Sequence, residues 1–274
     1  MYSGLINNRD YYERNRSLVF SASVPVNRLE SKYEFILGYH LQHQDALNKT
    51  ILQKPGADRL FQGSRNNIFA SVDFSNTLKY PYSISAEEGR NISLTYRYYS
   101  GNTGSDIDSR EYIASYAEHI TVPLKNFRHH VFYFRLAGAM SEGVATLQQS
   151  FQIGGYPQQS EFPLRGYASR FATGKYIATG TLSYRFPISY ILKGSGTKPF
   201  FLNKLHGAMF VDTGGAWDNN AGLSADRLRT GAGFEARLDV TLGYRLNITP
   251  AIGMAGGLDK GGRKSVYLTI YVDI

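Results

Sequence analysis

The chain has 274 residues, no cysteine and a formal net charge of +8 at pH 7, with 42% hydrophobic and 14% aromatic residues. No window holds the roughly 18 uninterrupted apolar residues of a membrane-spanning helix, and the absence of cysteine excludes a disulfide framework or a thiolate metal site. The basic residues are dispersed with no long Lys/Arg run, so nucleic acid is not an expected partner.

The opening MYSGLINNRD lacks the basic, apolar and small-residue regions of a secretory signal. From there on, nearly every patterned segment alternates with period two, and none carries a 3.6-residue apolar stripe. SLVFSASVPV separates Leu18, Phe20, Ala22, Val24 and Val26 from Ser17, Ser21 and Ser23. YEFILGYHLQ separates Tyr33, Phe35, Leu37, Tyr39 and Leu41 from Glu34, Gly38, His40 and Gln42. In TGAGFEARLDVTL, Ala232, Phe234, Ala236, Leu238, Val240 and Leu242 oppose Gly233, Glu235, Arg237, Asp239 and Thr241. The closing SVYLTIYVDI sets Val266, Leu268, Ile270, Val272 and Ile274 against Tyr267, Thr269, Tyr271 and Asp273. Strands are expected near 2–8, 12–26, 33–47, 65–78, 89–100, 111–124, 129–143, 175–189, 201–217, 228–242, 244–258 and 264–274. Many exceed the roughly six residues typical of soluble sheets and reach the roughly 9–11 that a tilted membrane strand needs.

The connections alternate as well. Short ones at 27–32, 125–128 and around 243 interleave with long ones at 48–64, 101–110, 144–174 and 218–227. Outer-membrane barrels have short turns on one side, long loops on the other and an even strand number. Twelve strands threaded in this way leave both termini on the short-turn side. A soluble β-sandwich or lipocalin-like barrel also alternates, and the pattern alone does not say which face points out. Strand length, strand number and abundant Tyr and Phe near strand ends favour the membrane form, because aromatic girdles mark both interfaces. An antiparallel sheet in lipid must also close, since an open edge finds no hydrogen-bond partner there. The expectation is an all-β chain, one antiparallel transmembrane β-barrel of about twelve strands over residues 1–274, carrying a long outer loop.

Three stretches are more specific. FPLRGYASRF, in the longest connection, contains Leu164, Arg165, Gly166 and Tyr167. GKYIATGTLSYRFPI follows with Tyr184, Arg185, Phe186 and Pro187, and then HGAMFVDTGGAWD with Phe210, Asp212, Gly214 and Trp217. In order and spacing this set resembles the C-terminal part of the BamA-like outer-membrane assembly factors and two-partner-secretion transporters, the bacterial surface antigen superfamily. RTGAG, from Arg229 to Gly233, is also similar. The resemblance covers about 144–274, and the earlier half matches only in strand style.

The resemblance implies that the long loop folds back into the barrel lumen and that Arg165 pairs there with an acid of the inner wall. A guanidinium suits that place, because it keeps its charge and offers five fixed donors, and charge-assisted bonds are short and strong in a confined lumen. Gly166 permits a tight backbone path beside it. Asp212 is the matching acid: it shares a face with His206, Ala208, Phe210 and Gly214, while Leu205, Met209 and Val211 take the lipid face. Three departures stand out. Ser183 occupies the position where the family often has a second acid, for which Glu235 is the candidate substitute. The chain ends in Ile274 rather than an aromatic residue. The family barrel usually has sixteen strands, so either the first strands lie outside this sequence or this is a shortened branch; the usual upstream periplasmic domains are not in it.

What the resemblance implies for function is insertion or translocation of polypeptides, or lipids, at the outer membrane of a Gram-negative-type bacterium or of an organelle derived from one. Membrane lipids and lipopolysaccharide, client polypeptides and periplasmic accessory domains are the implied partners; no cofactor, metal or bond-making site is. A passive channel or structural anchor is the alternative. A barrel enzyme such as a phospholipase is a third reading, but acyl transfer needs a serine beside an oriented histidine, and His119 with Ser115 or Ser141 is a weak assembly. His40 and His43, three apart in a strand, point to opposite faces and cannot share a metal. Asp106 and Asp108 read as a solvated loop rather than a calcium site, and His129 and His130 as interfacial or solvated. Gly231 and Gly233, inside a strand, read as places where a neighbour comes close.

Overall fold

The computed structural model of the chain describes residues 2–6, 9–46, 61–123, 125, 127–143, 151–194, 196–218, 224–243 and 245–273, with backbone alone for 2–6, 9–13, 46 and 272–273. Period-two patterning becomes strands throughout. In the first half these are β1 (Tyr2–Ile6), β2 (Arg9–Asn27), β3 (Lys32–Ala46), β4 (Gly63–Ser64), β5 (Asn67–Ser75), β6 (Gly89–Tyr99), β7 (Ser109–Thr121) and β8 (Val131–Gly143). The second half adds β9 (Phe151–Ile153), β10 (Ala172–Gly174), β11 (Tyr176–Gly194), β12 (Phe200–Trp217), β13 (Arg229–Leu242), β14 (Leu246–Gly257) and β15 (Lys264–Asp273). Each of the twelve expected strands is found, to within a few residues at its ends. The 48–64 connection, the start of the 144–174 loop and Ile274 lie wholly or partly outside the described residues.

Twelve strands form one antiparallel sheet in the order β1-β2-β3-β5-β6-β7-β8-β11-β12-β13-β14-β15, with β4 added to β3. The pair β9–β10 stands apart as a small sheet within the long loop. Only hairpin neighbours pair, which is the up-and-down topology of a β-barrel. The sheet curls round its contents: the long loop touches β6 on one side and β12 and β13 on the other. Lys204 of β12 likewise reaches across to the segment between β5 and β6.

The polarity of the two faces is now decided. On β15, Leu268 is 76% exposed and Tyr267 8%. The same outward apolar row continues through Ile252 and Met254, Phe234, Met209 and Val211, Leu182, Leu136, Leu94, Val72, Leu37 and Phe20, all exposed. The inner face holds Glu111, His119, Ser141, Thr179, Ser183, His206, Asp212 and Glu235, all buried. A soluble barrel has the opposite arrangement. An apolar belt this continuous needs an apolar solvent, so the outer face is built for lipid.

Candidate functional site: a loop latched inside the barrel

The loop between β8 and β11 fills the lumen with apolar side chains of its own. Phe151, Ile153, Phe162, Leu164 and Tyr167 pack with Ile177, Ala137, Ala139 and Ala216 of the wall. Small wall residues make the room and large loop residues fill it. Burying Phe162 and Leu164, 2% and 0% exposed, contributes roughly 1.5–3 kcal/mol each, less the entropy of ordering the loop. Bridges from Ile153 to Phe162 and from Gly155 to Leu164 fold the loop on itself and present its tip to β12 and β13.

That tip is Arg165. Its Nε donates to Asp212 Oδ2 at 2.7 Å and its Nη2 to Asp212 Oδ1 at 2.8 Å, a two-pronged fork. Its Nη1 donates to Glu235 Oε1 at 3.0 Å, and its backbone N–H adds a bond to Asp212 Oδ2 at 3.2 Å. The guanidinium lies over the Phe210 ring, with Cζ 3.3 Å from the centroid. Thr181 donates a further bond to Asp212 at 2.9 Å. Glu235 also receives Arg237 and the hydroxyls of Tyr267 and Tyr271. Two cations and two anions thus share one buried network. The desolvation of such a network offsets most of its Coulomb attraction, so its main consequence is to fix where the loop sits.

Strand register explains why Glu235 reaches the arginine. Asp212 pairs across to Gly231, and Ala208 to Glu235, which sets the two acids on adjacent strands, four residues apart along the wall. Ser183 lies two strands from Glu235 on the inner face, opposite Phe210. The second carboxylate therefore comes from the far side of Asp212, not from the strand that carries Ser183.

Glycines let the backbone come close. A Cβ on Gly231 would meet the carbonyl oxygen of Arg165, and one on Gly166 (φ +89°) would meet the backbone N of Gly257. Arg263 N donates to Gly166 O at 2.7 Å. Tyr167 donates to Thr230 O at 3.0 Å and accepts from Asp259 N at 3.1 Å, while its ring packs at a tilt against Phe171. Burial raises the Tyr167 phenol above its ordinary pKa, so it remains a donor. Gly214 makes room for Ile153, and Trp217 donates its indole N–H to Ser224 O, closing the outer end of β12.

A second tether was not foreseen. Arg97 of β6 donates to Glu161 of the loop at 3.2 Å and to Glu111 of β7 at 3.3 Å, beside Arg65 and Tyr99. Nothing local marks Glu161, which is 64 residues from its partner. Its side chain is 48% exposed, so Glu161→Ala is expected to cost no more than about 1 kcal/mol. Thermal unfolding and protease sensitivity of the loop close to wild type are the measurements to make.

The short-turn side is also closed over. Between β5 and β6, Ser83 and Glu87 are buried; Lys204 Nζ donates to Pro81 O and Ser83 O at 3.0 and 2.8 Å. His129 Nδ1 lies 2.6 Å from Glu87 Oε1, and His130 Nδ1 2.6 Å from Tyr184 Oη. His129 thus anchors that segment, while His130 joins β11 in a cluster of rings with Phe127, Tyr184 and Phe186, an interfacial rather than a solvated place. His119 lies across from Tyr133, whereas Ser141 lies across from Glu111 at the other end of β7, so no serine–histidine pair forms there. Ser115 is four residues along β7 from His119. Asp106 accepts from Ser64 N at 2.7 Å, capping the β4 turn. No cluster of three metal-ligating side chains occurs among the described residues.

No family model matches the chain, and no curated protein does. Among solved structures the chain is similar to BamA from Haemophilus ducreyi lacking POTRA domains 1–3, with a TM-score of 0.62 and 13% identity, over 98% of this chain and 57% of that one. The chain thus spans little more than half the length of that structure. At this identity the likeness establishes the fold, a β-barrel of the BamA type.

Proposed function

We propose that this chain is an outer-membrane β-barrel that assists the insertion or translocation of polypeptides, with the loop at 151–174 latched across its lumen. The observation that carries the reading is the buried fork from Arg165 to Asp212, reinforced by Glu235. It is formed by the residues on which the family resemblance rests, and it sits inside a barrel of the BamA type. The apolar belt supports residence in a bilayer, where lipids and lipopolysaccharide are its surroundings. Client polypeptides and periplasmic accessory domains are the proposed partners. The latch moves no bond: it sets the position of a loop, and so the shape of the lumen that a client meets.

A passive pore is the second reading, favoured by the polar inner wall. One experiment separates the two. The chain is reconstituted in liposomes and a urea-unfolded outer-membrane protein is added, with folding followed by its heat-modifiable migration on gels. Faster folding than in empty liposomes, slowed by Arg165→Ala, supports the assembly reading. Unchanged folding together with ion leakage through the liposomes assigns the pore.

A further inference from the structure

Beneath the latch lies a chamber of about 780 Å³. The loop roofs it with Pro157, Ser160 and Pro163, and the segment between β5 and β6 floors it with Pro81, Ile84 and Ser85. Its lining includes six cationic side chains and one acid, Asp239.

Most of these charges are already engaged. Arg165 and Arg237 share Glu235, and Arg165 also holds Asp212. Asp239 accepts from Thr249 at 2.8 Å and lies 3.1 Å from His206 Nε2. Lys204 donates to two backbone carbonyls. Lys79 lies within electrostatic reach of Asp239, which leaves two guanidiniums, Arg135 and Arg185. Among the described residues neither Arg135 nor Arg185 makes an ion pair or a hydrogen bond. Arg185 stacks on Tyr133 with Cζ 4.1 Å from the ring centroid, and its Nε is buried with no partner. His206 Nδ1, on the same wall, is likewise buried and unpartnered. The register places Arg185 opposite Ala208, two residues from His206, and Arg135 opposite Thr181 on the strand beside it.

We propose that this chamber is a binding site for a phosphate-class oxyanion, with Arg185 as its principal ligand and Arg135 as the second cation. Both guanidiniums line the same chamber without an ion-pair partner of their own, and a divalent oxyanion offers each a fork acceptor that chloride lacks. Ser183, also on the lining, supplies a hydroxyl. The anion is either free in solution or the phosphate of a lipid headgroup, and the chemistry of recognition is the same.

The test is calorimetric titration of inorganic phosphate into the full chain in an uncharged detergent. Saturable one-to-one binding is expected, weakening as salt is raised. Arg135→Ala combined with Arg185→Ala should weaken it at least roughly a hundredfold, since two charge-assisted contacts are lost. Arg185→Lys, which keeps the charge and loses the fork, should fall between. Arg14→Ala, at an exposed pair with Asp45, should leave binding unchanged. Heat-modifiable migration checks that each variant is folded; if the double variant is not, Arg135→Ala alone carries the comparison, with a loss of roughly tenfold. A second titration uses dihexanoyl phosphatidylglycerol below its micelle concentration. Binding of that lipid in place of phosphate, with the same response to the variants, assigns the headgroup as the source. Binding of neither probe, or binding that the arginine variants leave intact, overturns the proposal.

Discussion

Asp212→Ala is expected to release the loop at 151–174 from the lumen and to make it cleavable by added protease in a barrel that is otherwise folded. Asp212 is 1% exposed and accepts four bonds, three from Arg165 and one from Thr181. Removing one member of a buried pair costs up to about 3–5 kcal/mol; here Arg165 and Arg237 are left to share Glu235, so one buried cation is in excess. The excess charge has an escape that a core residue lacks, because the loop can swing out and return Arg165 to water. The loss therefore falls on the docking equilibrium of the loop rather than on the long hairpins of the wall. A double-mutant cycle sharpens the prediction. Arg165→Ala with Asp212→Ala leaves no uncompensated charge, so the pair should be less disruptive than Asp212→Ala alone. If protease access to 151–174 is the same in wild type and Asp212→Ala, the latch does not hold the loop.

How much of this was legible in the sequence depends on the range of the contact. Period two gave the strands, because a pleated strand sends neighbouring side chains to opposite faces whatever its surroundings. It could not say which face meets lipid. That is settled by Leu268, Met209 and their neighbours lying exposed while Asp212 and Glu235 lie buried. Arg165 and Asp212 were found through an ordered motif. Glu235 could be placed on the inner face, but its reach to Arg165 depends on the pairing of Ala208 with Glu235, which no local pattern encodes. Glu161 with Arg97, and Glu87 with His129, join segments 64 and 42 residues apart. They carry no motif and no periodicity, so only the folded chain reveals them. The glycines fall between these cases: Gly231 in mid-strand signalled a close neighbour, and the neighbour is the backbone of the loop itself.

Gly231→Ala is the second large effect expected, and it leaves every charge of the latch in place. The added Cβ points at the carbonyl oxygen of Arg165, with Gly256 O behind it at 3.6 Å. A main-chain oxygen cannot rotate aside as a side-chain end can, and Gly231 pairs directly with Asp212, so the methyl group pushes the arginine off its own acid. Overpacking of this kind costs about 1–3 kcal/mol. Gly166→Ala approaches the same seat from the loop side and adds the strain of φ +89° in a residue with a side chain, a further 1–3 kcal/mol or so. Gly101→Ala, where nothing lies within 4 Å, is the neutral control. Both seat variants should expose the loop to protease as Asp212→Ala does. Combining Gly231→Ala with Asp212→Ala should then add little, because a loop already displaced has no pair left to lose. Full additivity of the two would mean that the glycine and the carboxylate stabilise separate things. A loop that stays protected in Gly231→Ala would mean that the arginine can find its acids without the close backbone approach. The seat would then be set by charge alone.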